Sequence, residues 1–575
     1  MSRLYWLLVV AGAASGCNAY IDGTGEKAPG GPGGSNPVVS GTAGTTSTTP
    51  PVVDPNQPPT AQVACASADT QTIGHRALRR LTNAELETSI RATFGLDAAA
   101  WTGVNLPSDA GSHDGFTNNV DSLTVGPDYA KGTLDGAKKL ASLISGDALL
   151  TKLAPCSSAA DRACAETFVS SLGAKLYRRP LSGNEKTRYL ALYDKITAKE
   201  DFKSFAYWAA TALLQSPHLI YRSEVGEPDG SGHFKLSAYE IATELSFAFT
   251  GGPPSAALTE LAAANQLSTP EQIEAAARGL VFDGQTVKPA FRDVVLHFAN
   301  QWLGLAGLSN IKKDATLYPD FSSEVQESMA EETRRFFSSV VLEEQGNVQS
   351  ILTAPYTYVD GALAKYYGFG TASGVDFARV TRPANWGVGL LAQGSLLAVQ
   401  ANGLTTSLTR RGYLVRTKLL CGAVPPPPAV VGAIPEPTAT QTTRQRYEIV
   451  HEANPSCGGC HALMDHIGFA LEHLDSAGRY RETENTFPID DTGTVSGTTA
   501  GDVKIKGASE LATTLANLPE VSDCVSSYVA AYALGLNHES AACLVSNAAR
   551  ELRGGKSLLD FYVGIARSEH FRQRR

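Results

Sequence analysis

Leu81-Thr82-Asn83-Ala84-Glu85 is the first of four strings that decide the fold class. A hydroxyl followed three residues later by a glutamate reads as a capping box. The hydroxyl accepts from the N3 amide, and the carboxylate reaches back to the N–H of the cap residue. Leu181-Ser182-Gly183-Asn184-Glu185, Leu236-Ser237-Ala238-Tyr239-Glu240 and Leu267-Ser268-Thr269-Pro270-Glu271 repeat the pattern. Amphipathic runs follow over 86–94, 189–196, 241–249 and 273–281, and Leu81 with Leu86 and Leu236 with Ile241 are spaced as hydrophobic staples. Residues 324–341 read as a long helix that buries Val325, Met329, Phe336 and Phe337. No Gly-rich phosphate loop follows a strand, and no βα rhythm is present. The predicted class is mainly α, a multidomain helical protein.

Far downstream of these helix starts lies Cys457-Gly458-Gly459-Cys460-His461. Cys-x-x-Cys-His is the attachment motif of a c-type haem: two thiols add to the haem vinyl groups, and the next histidine is held beneath the iron. A chain of 575 residues with 9 Cys and 11 His would carry this string by chance about 0.003 times. One covalent haem c is the expected cofactor, on Cys457 and Cys460, with His461 as proximal iron ligand.

Covalent haem attachment happens outside the bacterial cytoplasm, and the N-terminus supplies an export signal. Arg3 gives a positive start, residues 4–14 are apolar, and Ala14-Ser15-Gly16-Cys17 resembles a lipobox. Residues 1–16 therefore read as a lipoprotein signal peptide and Cys17 as the lipid attachment site, with a plain secretory signal as the alternative. The apolar run is shorter than the roughly 20 helical residues a bilayer needs. Residues 17–62 are Gly, Pro, Ser and Thr in the main, a composition that buries too little apolar surface to order itself, and read as a disordered tether. The expected location is the cell envelope, lipid-anchored in the periplasm or at the outer-membrane surface.

A net charge of −9 argues against a nucleic-acid partner, which needs a basic face. With Cys17, Cys457 and Cys460 assigned, Cys65, Cys156, Cys164, Cys421, Cys524 and Cys543 remain, an even number suited to disulfides in an oxidising compartment. The pairs nearest in sequence are Cys156 with Cys164 and Cys524 with Cys543; elimination leaves Cys65 with Cys421. Pro425 to Pro428, with Pro435 and Pro437, reads as a stiff strap leading into the Cys-x-x-Cys-His segment.

Several strings carry a family resemblance. They are Arg80-Leu81-Thr82-Asn83-Ala84-Glu85, Leu176-Tyr177-Arg178-Arg179-Pro180-Leu181-Ser182, Leu214-Gln215-Ser216-Pro217-His218-Leu219-Ile220-Tyr221-Arg222, residues 236–247, Arg410-Arg411-Gly412, residues 457–481 and Tyr532-Ala533-Leu534-Gly535. Together they resemble an exported bacterial multidomain family built from domains of unknown function 1587, 1595, 1592, 1588 and 1585. The resemblance implies five helical segments in that order, over 63–150, 151–225, 233–370, 380–482 and 490–575, the fourth cytochrome-c-like. The family's reaction is not established, so enzymatic activity stays open. The family shows Asp-Pro where this chain has Asp465-His466.

His451, six residues before Cys457, matches a family histidine and is the first candidate for a distal iron ligand, ahead of His466 and His473. Met464 stands too near His461 to reach the opposite face, and Met329 reads as core. Arg444, Arg446, Arg479 and Arg481 suit haem propionates, or simply solvent. A zinc site from Cys457, Cys460, His461 and His466 or His473 is one alternative, and a Cys457–Cys460 disulfide is another. Asp465, Asp490 and Asp491 read as cation-binding or merely solvated, and His218 and His297 as structural.

Three functions follow from these alternatives. The first is electron transfer through one haem to a redox partner protein. The second is a haem-free surface scaffold that binds polysaccharide, since haem accounts for only one of five segments. The third is a peroxidase-like haem enzyme with an open iron position.

Overall fold

The computed structural model describes residues 73–74, 78–370, 374–425, 434–453 and 455–575. The expected signal peptide, Cys17, Cys65, the tether and Pro426 to Pro428 of the strap lie outside them. Among the described residues the chain is helical, with sheets of only two or three short strands.

The helix starts are where the local chemistry puts them. Thr82, Ser182 and Ser237 cap the helices Asn83–Phe94, Gly183–Thr197 and Ala238–Thr250, each with a complete capping box to Glu85, Glu185 and Glu240. The fourth box is shifted by one residue from the expected Ser268 and Glu271. Thr269 is the cap and Gln272 its partner, because Pro270 fills the first helical position, where its fixed φ and missing N–H fit best. The predicted 324–341 helix is α-helical over Ser323–Phe337 and then widens to a π-type turn over Ser338–Glu343. Val325, Met329, Phe336 and Phe337 are buried, as expected.

Two large apolar cores result. One gathers residues from Leu81 to Leu219, with Phe247. The other runs from Phe116 and Leu236 to Phe571 and includes residues on both sides of the Cys-x-x-Cys-His motif, such as Leu414, Ile467 and Val525. The C-terminal helices thus build the same core as the helices after residue 236; Tyr562, for example, donates to the Ala248 carbonyl at 3.0 Å. The final strand Gln573–Arg574 pairs with Phe234–Lys235, which also pairs with Glu227–Pro228.

Cys156 and Cys164 form a disulfide, as expected from their spacing. The expected Cys524–Cys543 pair does not form. Cys524, on the helix Pro519–Leu534, is bonded to Cys421, 103 residues earlier, which also excludes Cys65 with Cys421. Cys543 is disulfide-bonded as well. Nearness along the chain misled here, because the packing of two distant segments sets the sulfur separation.

Candidate functional site

The motif lies on the helix Pro455–Ala462, which a short turn joins to the helix Asp465–Phe469. The second helix crosses Leu408–Leu414 at close range, and glycine makes the approach possible on both sides. A Cβ on Gly412 would run into the Met464 carbonyl, and one on Gly468 into the Leu408 carbonyl. That contact seats Thr409 directly against Asp465: the Thr409 hydroxyl donates to Oδ1 at 2.7 Å.

Asp465 has no solvent exposure and is the hub of the site. Its Oδ2 lies 2.7 Å from His451 Nδ1 and 3.1 Å from His461 Nδ1. Burial alone would raise the carboxyl pKa, but the hydrogen bonds from the two histidines and Thr409, with the charge of His461, outweigh it and hold Asp465 below the usual carboxylate range. An ionised carboxylate only accepts, so each imidazole donates through Nδ1; in the neutral ring Nε2 then carries the free lone pair. The two rings lie against each other, centroids 3.5 Å apart and planes tilted by 31°, with Tyr447 edge-on to His451 at 5.0 Å.

This geometry bears on the expected ligands. Two imidazoles on opposite faces of one iron point toward each other along a line. His451 and His461 instead lie ring on ring, tied to one carboxylate oxygen, so His451 stands beside His461 and not across from it. His461 is partly exposed while His451 is buried. Cys457 and Cys460 are partly exposed thiols that are not bonded to each other.

The other candidates are otherwise engaged. His466 pairs with Glu452 at 2.8 Å, and His473 contacts the Arg481 carbonyl at 2.7 Å and Asp491 at 3.5 Å. Potential metal donors cluster in threes at His451–His461–Asp465 and at Asp114–His538–Glu539; the cysteine-based zinc set is not among these clusters. Arg444 is bonded to Glu448 and to the Asp490 and Thr492 carbonyls, and Arg446 to the Pro435 carbonyl and Thr443. Arg479 pairs with Asp475, and Arg481 with Glu472 and Glu484. These arginines brace the segment around the motif. Asp490 is held by Arg444 and Thr492.

Buried Arg411 does most of the bracing. It donates to the carbonyls of Leu471, Leu474 and Asp475 at 2.7–2.9 Å, and burial pulls its guanidinium down to about 10. Met464 is buried beside Gly412, and Met329 belongs to a separate core cluster. His218 bridges Ser223 and Glu185, and His297 is hydrogen-bonded to Gln301 but exposed, so it is not a core histidine. Thr409 and the orienting role of Asp465 were missed from sequence. The available signal was spacing: Asp465 stands four residues after His461, the separation that places side chains on one helix face.

Four family models match the chain, in the order the resemblance implies. They are Protein of unknown function (DUF1587) over residues 79–145, (DUF1595) over 164–224, (DUF1592) over 236–369 and (DUF1588), named PSCyt3, over 388–484. No curated protein matches, and no solved structure does.

Proposed function

We propose, from the premise that this chain belongs to the family that carries domains of unknown function 1587, 1595, 1592 and 1588 in that order, that it is a lipid-anchored c-type-cytochrome-like protein working outside the cytoplasm. Its function is electron transfer through one covalent haem c to a redox partner protein. When bound, haem supplies an iron that changes oxidation state by one electron.

One observation carries the reading. Cys457 and Cys460 stay separate thiols on one helix, while Cys156, Cys164, Cys421, Cys524 and Cys543 are all in disulfides. The adjacent His461 has Nδ1 occupied by Asp465, which leaves Nε2 as its ligating nitrogen. The donor set fits haem: Cys457 and Cys460 would hold the group and His461 would take the iron. The name PSCyt3 for the 388–484 match agrees with a cytochrome-like segment. Disulfides are the chemistry of an oxidising compartment, which supports export and, with it, lipid attachment at Cys17. No helix among the described residues is long and apolar enough to cross a membrane, so the N-terminal lipid would be the membrane contact.

The test is expression of the mature chain in the periplasm of a host that attaches haem c, followed by a pyridine haemochrome spectrum of the denatured protein. One covalent haem per chain, lost in C457A/C460A, is expected. A haem-free product sinks the reading.

A second reading, a carbohydrate-binding scaffold, has one observation in its favour. Trp208, 44% exposed, stands in an open groove with Leu134, Leu192, Ile196 and Gln215, an apolar platform of the kind a sugar ring can stack on. Saturable glycan binding abolished by Trp208→Ala supports it; indifference to a broad panel of glycans removes it.

A further inference from the structure

Asp465 is more than a neighbour of the motif. It is fully buried, and one of its oxygens accepts from Nδ1 of two adjacent imidazoles. A carboxylate on the far nitrogen of a metal-ligating histidine fixes the tautomer and the ring angle, and makes the other nitrogen a stronger donor. A stronger donor favours the more highly charged state of a bound metal and so lowers its reduction potential.

His451 contacts the same oxygen at 2.7 Å, closer than His461 at 3.1 Å, and Thr409 holds the other oxygen at 2.7 Å. Each draws off part of the negative charge that His461 would otherwise receive. Thr409 Oγ1 also lies 3.5 Å from His461 Nδ1, so the three groups compete within one buried pocket.

We infer that Asp465 is the positioning residue for His461, that its carboxylate orients the ring and depresses the potential of the iron held there, and that His451 and Thr409 moderate this effect from the same carboxylate. The inference rests on the haem reading and deepens it: it makes this a haem tuned downward, and it assigns His451 to Asp465 and not to the metal.

The opposing signs of the variants separate tuning from structural support. In the full mature chain the readouts are haem per chain, midpoint potential by spectroelectrochemistry, and spin state from the absorption spectrum. Asp465→Asn keeps its size and loses its charge; one haem per chain with a midpoint shifted to more positive values is expected, and Asp465→Glu recovers part of the shift. His451→Leu and the near-isosteric Thr409→Val each remove a competing donor and shift the midpoint the other way, with the spin state unchanged. Thr409→Val serves if Asp465→Asn does not fold.

An unchanged potential in both Thr409→Val and His451→Leu overturns the inference. So does a haem-loaded Asp465→Asn with the wild-type potential. A change of iron coordination number in His451→Leu also overturns it, since His451 would then be a ligand. Absence of covalent haem in the wild type sinks this inference together with the reading it rests on, whereas every other failure leaves that reading standing.

Discussion

Arg574, the penultimate residue, reaches the carboxylates of Glu224 and Glu244 through one nitrogen, Nη2, at 2.7 and 2.6 Å. Glu244 has no exposure, and its other oxygen lies 3.4 Å from His570 Nε2. Arg574 therefore bridges two acids that flank the junction between the 164–224 and 236–369 matches. Glu224 has a second cation in Arg222 at 2.6 Å, while Glu244 has no other arginine or lysine paired with it among the described residues.

Removing that charge leaves a buried carboxylate uncompensated, which costs on the order of 3–5 kcal/mol. Arg574→Ala is expected to lower the unfolding free energy by that amount, read as a lower denaturation midpoint with the denaturant slope unchanged. In a double-mutant cycle, Arg574→Ala combined with Glu244→Gln should lose clearly less than the sum of the two single changes. Additive losses would mean that the pair does not interact.

Gly412 and Gly468 set how closely Leu408–Leu414 and Asp465–Phe469 approach. Gly412→Ala forces a methyl against the Met464 backbone, which cannot swing away as a side chain can. A loss of about 3 kcal/mol is expected, at the upper end of overpacking effects, together with a weakened Thr409–Asp465 contact. Gly279→Ala is the control. Gly279 sits within the helix Pro270–Val281 with open space around its Cβ position, so alanine should stabilise by about 0.5–1 kcal/mol. Chemical denaturation of both variants reads the opposite signs.

The Cys156–Cys164 and Cys421–Cys524 disulfides close loops of very different size, 8 and 103 residues apart in sequence. In the chain-entropy view the longer loop constrains the unfolded chain by about 4–5 kcal/mol and the shorter by about 2–3 kcal/mol. Cys421→Ser/Cys524→Ser should therefore lower the melting temperature more than Cys156→Ser/Cys164→Ser. The longer loop also encloses the whole Cys-x-x-Cys-His segment. Non-reducing peptide mapping should recover Cys421 linked to Cys524.

Glu185 supplies a pH-dependent component of stability. Hydrogen bonds from Arg179, opposed by burial and reinforced by Ser182, pull the carboxyl from its ordinary 4.5 to about 2. A depressed acid stabilises the fold fully above its unfolded value, and that contribution is lost as the pH falls from 4.5 to about 2. Because the Arg179–Glu185 pair is partly screened by solvent, the stabilisation is on the order of 1 kcal/mol. The stability difference between wild type and Glu185→Gln should be largest above pH 5 and shrink steadily as the pH approaches 2. A difference that stays flat with pH would assign the loss to packing.

What the sequence determined by itself was local chemistry. Thr82, Ser182 and Ser237 cap helices because cap and partner stand three residues apart, so their contact needs no other part of the chain. The fourth box was legible only to within one residue: its pattern points to Ser268 and Glu271, whereas Pro270 at the first helical position makes Thr269 the cap. The Cys-x-x-Cys-His string, the helical class and the burial of Met329 and Phe336 belong to the same level.

The tertiary structure alone decided the rest. Cys524 pairs across 103 residues, Arg574 meets Glu244 across 330, and Asp465 takes Thr409 from 56 residues earlier. Residue type marks such groups as able to bond, but packing selects the partner, because a buried charge or hydroxyl must be satisfied by whatever the neighbouring helix brings within about 3 Å. His451 shows the difference most directly. Its match to a family histidine suggested a distal iron ligand, and only the fold shows that its Nδ1 shares the Asp465 carboxylate with His461.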